Sequence, residues 1–133
     1  MITLPGVLYV YIAIGAAVGA MLRHYLNVLF NPMNKLFSSG ILVSNILGAC
    51  LIGVALAYIS DNNNLADNTK IAITTGFLGS LTTFSAFSAE IFVLLQNSKF
   101  ILAAILISSH VVGSVLCTAL FYYITSYLLK LSP

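Results

Sequence analysis

The residues with chemistry to offer are concentrated in one stretch, Thr74-Thr75-Gly76-Phe77-Leu78-Gly79-Ser80-Leu81-Thr82-Thr83-Phe84-Ser85-Ala86-Phe87-Ser88. Two glycines and a crowd of hydroxyl and β-branched side chains make this a poor helix. A break in it would free backbone carbonyls, which attract a cation, and would create a half-helix N-terminus, which attracts an anion. Phe84 and Phe87 stand three apart and share a helix face. That spacing suits core packing, but a phenyl edge is also weakly electropositive. It can face a small anion without the strong charge that would trap it. Asn45 carries two N–H donors able to replace part of an anion's hydration shell, or to bond a neighbouring helix. Ser109 adds a hydroxyl. Arg23 and Glu90 are charges inside otherwise apolar stretches, and because unpaired burial is costly they are expected to interact, directly or through polar neighbours. Arg23 could instead lend positive potential to a vestibule by extending to the membrane interface. His24 and His110 show no partner and read as structural.

What positions these groups follows from composition. Of 133 residues, 60% are hydrophobic and 6% charged, against roughly 25% charged in soluble domains. The solvent of this chain is lipid. Four apolar segments, at about 4–29, 41–60, 71–96 and 100–128, each supply the roughly 20 residues a membrane helix needs. The first lacks a basic leader, so it reads as a retained span. Asn31-Pro32, the Asp61-Asn62-Asn63-Asn64 run and Asn97-Ser98-Lys99 punctuate the spans. No period-two alternation supports a β-barrel. The expected fold is an all-α membrane protein of one domain with its third helix broken near the middle. Asn45, Phe87 and Ser109 then fall at similar depth.

Lys70 and Lys130 lie on the N-terminal side of the membrane, while Lys35 and Lys99, with Arg23 leaning the same way, lie on the other. So balanced a distribution gives the positive-inside rule little to act on. It admits insertion in both orientations and an antiparallel, dual-topology dimer. Gly15-Ala16-Ala17-Val18-Gly19 is a GxxxG motif that lets another backbone approach closely, within one subunit or between two. Cys50 and Cys117 sit in apolar stretches and read as small core residues. No Cys/His cluster has metal-ligand spacing, no catalytic arrangement is present, and the net charge of +2 is too sparse for nucleic acid.

Three segments resemble the Fluc/CrcB family of fluoride channels. They are Gly15 through Tyr25 with its glycine-rich pattern ending in Arg23, Asn45-Ile46-Leu47-Gly48, and Gly76 through Glu90, the most specific of the three. The resemblance implies an antiparallel homodimer with two pores and passive, selective fluoride efflux across the plasma (inner) membrane of a bacterium or other microbe. It implies pore roles for Asn45, Phe84, Phe87, Ser88 and Ser109. It also implies a structural Na⁺ at the dimer centre, held by the backbone carbonyls of Gly79 and Thr82. Ile41 and Ile105 stand where the family often has Thr and Tyr, so the polar track is thinner here, the register in those helices differs, or a sister subunit supplies the missing groups. The chief rival is a small four-helix, dual-topology, proton-coupled exporter. That class needs a membrane carboxylate, for which Glu90 is the candidate. A non-transporting assembly subunit is the second rival.

Overall fold

The computed structural model describes residues 6–31, 37–61 and 65–131. Helix α1 spans Gly6–Phe30 and α2 spans Ser39–Asp61. The third span begins as α3 (Asp67–Ile71), continues as a π-helical stretch Ala72–Leu78 and the short turn α4 (Gly79–Leu81), breaks, and resumes as α5 (Phe84–Gln96). The last span is α6 (Phe100–Leu131). Four helical segments are therefore long and apolar enough to cross a membrane. The 25 residues of α1 alone reach about 37 Å, against a hydrocarbon core of about 30 Å. Pro32, Lys35 and Asn62 through Asn64, on which two of the expected loops turn, lie outside the described residues.

Glycine decides how the broken span is seated. A Cβ on Gly15 would stand 2.8 Å from the carbonyl oxygen of Ala72, and one on Gly19 would overlap that of Phe77. On the other side, a Cβ on Gly76 would meet the Ile12 carbonyl at 2.9 Å. The GxxxG face of α1 is thus filled by the third span of the same chain, backbone against backbone. The π-helical register of Ala72–Leu78 lies against this face; such bulges mark functional sites more often than chance would give.

The most extensive helix pair is α2 with α6, tied by the Thr118 hydroxyl donating to the Ala49 carbonyl at 3.0 Å. Two apolar clusters form the core: Leu26, Leu78 and Leu81 around the first half of the broken span, and Phe87, Ile91, Leu94, Ala103 and Leu106 between α5 and α6. Between those helices Ser98 takes a left-handed conformation (φ 57°). Its N–H donates to Leu95 O and that of Lys99 to Leu94 O, the paired bonds that end a helix in a Schellman turn. Many large apolar side chains remain exposed along α1 and α6, Met21, Ile101 and Tyr123 among them, as a lipid-facing surface requires.

Candidate functional site

The break lies at Thr82 (φ −88°, ψ 157°) and Thr83 (φ −149°, ψ 117°), both extended. Extension removes helical hydrogen bonds, and side chains replace them. Thr83 N–H donates to Asn45 Oδ1 at 2.7 Å, and Asn45 Nδ2 donates to Thr83 O at 3.1 Å. The amide of one residue on α2 therefore satisfies both backbone groups of Thr83. Thr83 Oγ1 accepts the Ala86 N–H at 3.2 Å and so caps α5. The Thr82 hydroxyl folds back on Leu78 O at 3.0 Å.

This rewiring frees carbonyls, those of Gly79 and Thr82 among them. In an unbroken helix Gly79 O would accept from Thr83 N–H and Thr82 O from Ala86 N–H. Both donors are diverted, to Asn45 Oδ1 and Thr83 Oγ1. Neutral oxygens left this way suit a hard cation of low charge, and no group of three His, Cys, Asp or Glu among the described residues offers a stronger metal site. The residues present fit the Na⁺ the resemblance implies.

Two clefts flank the break, and Thr83 lines both. The larger, about 520 Å³, is bordered by Asn45, Thr82, Phe84, Phe87, His110 and Ser114. Phe84 and Phe87 meet edge to face, centroids 5.5 Å apart at 61°. Phe84 is 76% exposed on the chain surface, whereas Phe87 is 6% exposed and belongs to the core cluster. The smaller cleft, about 470 Å³, brings Arg23, His24 and Asn27 of α1 beside Ser85 and Ala86.

Several expected placements change. Ser109 lies on another face of α6, and its hydroxyl donates to Ile105 O at 2.8 Å. The polar position facing Asn45 is His110, one residue on, because each residue turns a helix by about 100°. Asn45 Nδ2 contacts His110 Nδ1 at 3.0 Å, and the His110 ring lies 4.5 Å from that of Phe87. His110, Ser114 and Thr118, spaced by four, form the polar stripe along the cleft. That spacing was the signal available in the sequence. One turn before His110 stands Leu106, buried, rather than Ile105, which is exposed. Ser88 is half-buried and lines neither cleft. The expected Arg23–Glu90 interaction does not form. Among the described residues the ion pair within bonding distance is Lys70–Asp67 at 3.2 Å. Glu90 Oε1 instead accepts the N–H of Ser38, just ahead of α2, where the positive end of a helix dipole favours a carboxylate. Glu90 sits beyond the turn of α5 that meets Arg23, and it points to a different helix.

Four apolar spans with a capped break in the third define an all-helical, multi-pass membrane protein. Residues 10–122 match the model of the CrcB-like protein, camphor resistance (CrcB) family. A fluoride-specific ion channel FluC of Acinetobacter baylyi is 45% identical over 109 residues, covering 82% of this chain and 86% of the relative. Proteins of the same name from Pasteurella multocida and Pseudomonas aeruginosa are 43% and 44% identical, covering 89% and 82% of this chain and 92% and 86% of theirs. The chain belongs to the CrcB family.

Proposed function

We infer that this protein is a fluoride channel, carrying F⁻ passively out of the cytoplasm. The observation that carries the reading is the cleft at the break, where an edge-to-face phenylalanine pair stands beside an amide-capped backbone. Identity above 40% to proteins named for fluoride conduction supports it. A bare halide crosses lipid only if other groups take over from water. Phenyl edges and neutral N–H donors do so weakly enough to let the ion leave again. Arg23 would raise the local anion concentration from the second cleft.

A single chain presents this cleft open on its surface, with Phe84 exposed. A second copy, inserted in the opposite orientation, would cover it and close a pore on each side of the dimer. The even distribution of Lys and Arg supports that dual topology. The freed carbonyls of Gly79 and Thr82 would meet their symmetry mates at the dimer centre and hold a structural Na⁺ between the opposed breaks. The proton-coupled exporter is disfavoured, since its candidate carboxylate, Glu90, is engaged at the start of α2.

Purified protein in liposomes loaded with potassium fluoride tests the reading. With valinomycin to balance charge, F⁻ should leave without a proton gradient, and chloride in parallel vesicles should stay. Efflux that needs a proton gradient, or equal release of both halides, would overturn it.

A further inference from the structure

Of the side chains bordering the larger cleft, His110 is the one that carries an imidazole, a ring able to accept or donate a proton. It is 5% exposed and held between Asn45 and the Phe87 ring. The tautomer follows from its neighbours. Thr83 fixes the Asn45 amide, because its N–H requires Oδ1 and its carbonyl requires Nδ2. The atom facing His110 is therefore a donor, so His110 Nδ1 accepts and the proton of the neutral ring resides on Nε2. Nε2 itself is buried with no partner among the described residues.

We propose that His110 is a proton-sensitive latch on the anion route: neutral, it holds Asn45 in place; protonated, it loses that bond and slows fluoride passage. A proton on Nδ1 would confront the Asn45 Nδ2 donor, and rotating the amide would break both bonds to Thr83. The surroundings do not offset the charge. From α2 the ring meets Asn45, and the next titratable residue there, Cys50, is more than a turn away. From α5 it meets Phe87, and Glu90 beyond it is engaged by Ser38. On α6 the next titratable group is Cys117, two turns on. Arg23 and His24 line the other cleft. No carboxylate borders the larger cleft, so a passing anion becomes the counter-charge. A full cation retains a small anion where ring edges and neutral donors release it.

The inference rests on the channel reading, and the experiment separates the two. Fluoride efflux from liposomes is measured at symmetric pH, with leak through protein-free vesicles subtracted. Wild-type flux should fall about fivefold as the medium is taken from about pH 8 into the acid range where the ring gains its proton, and His110→Asn should flatten the profile. Flux that is level or rises toward acid removes the latch and leaves the channel, as does an unchanged profile in His110→Asn. Absence of fluoride flux at every pH removes both. Nitrogen-15 NMR of histidine-labelled protein, with His24→Gln for assignment, checks the ring directly and does not require the His110 variant to fold. Protonation of the second ring nitrogen should track the loss of flux, and a ring that stays neutral while flux falls overturns the proposal.

Discussion

The side-chain amide of Asn45 takes the place of a helical turn for Thr83, accepting its N–H at 2.7 Å and donating to its carbonyl at 3.1 Å. Two helices are joined by this pair at the point where one of them is interrupted. The break is thus a built feature: both backbone groups of Thr83 are satisfied from the side, as membrane depth demands, while the carbonyls of Gly79 and Thr82 lose their helical donors.

Asn45→Asp keeps the acceptor for Thr83 N–H but sets an oxygen against Thr83 O and deprives His110 of its donor. Leaving buried groups unpaired costs about 1–3 kcal/mol each, so the thermal melting temperature in detergent should drop. Fluoride flux in liposomes should fall at least about tenfold, the equivalent of one such bond at about 1.4 kcal/mol. Wild-type melting and flux together would show that the pair does not hold the break.

The sequence displays most of the architecture because its causes are local. Long uncharged runs mark the spans, and Gly76, Gly79 and the threonines mark the broken one. What stayed hidden depends on rotation and on partners. Whether Ser109 or His110 faces Asn45 turns on about 100° of helix phase, which the uniformly apolar α6 does not display; only the spacing of His110, Ser114 and Thr118 carries it. The partner of Glu90 was obscured because Ser38 offers a backbone N–H, and main-chain donors leave no mark in a sequence. The π-helical stretch was hidden too, since it depends on how closely Gly15 and Gly19 admit a second backbone.

That close approach gives a second prediction. A Cβ on Gly19 would overlap Phe77 O and come within 3.0 Å of Leu81 N, whereas one on Gly6 has open space. Gly19→Ala forces main chain to move and should cost about 1–3 kcal/mol, the usual range for overpacking. Gly6→Ala should be neutral or slightly stabilising. Melting temperatures of the two purified variants decide the matter, and equal values would remove the seating of α4 and the π-helical stretch on α1.

Phe84 and Phe87 separate conduction from stability. Phe84 is 76% exposed and Phe87 is 6% exposed. Replacing Phe84 by Ile should leave the melting temperature of a detergent-solubilised single chain nearly unchanged, within about 0.5 kcal/mol. The same change at Phe87 disturbs the cluster with Ile91 and Leu106 and should cost about 1 kcal/mol or more. Both remove a phenyl edge from the cleft, so both should cut fluoride flux sharply. Normal flux in Phe84→Ile would take that ring off the anion route.

Arg23 and Glu90 are close enough in depth to suggest a pair, yet each serves a different helix junction. Arg23→Ala should keep the fold, since no ion pair is lost, and lower fluoride flux by removing positive potential beside Ser85. Glu90→Ala strips Ser38 N–H of its acceptor and should lower stability by about 1–3 kcal/mol. Because they share no bond, their effects on melting should add to within about 0.5 kcal/mol in the double variant. A larger coupling would mean that the two charges meet after all, and that the cleft beside Ser85 owes its arginine to a salt bridge rather than to the anion.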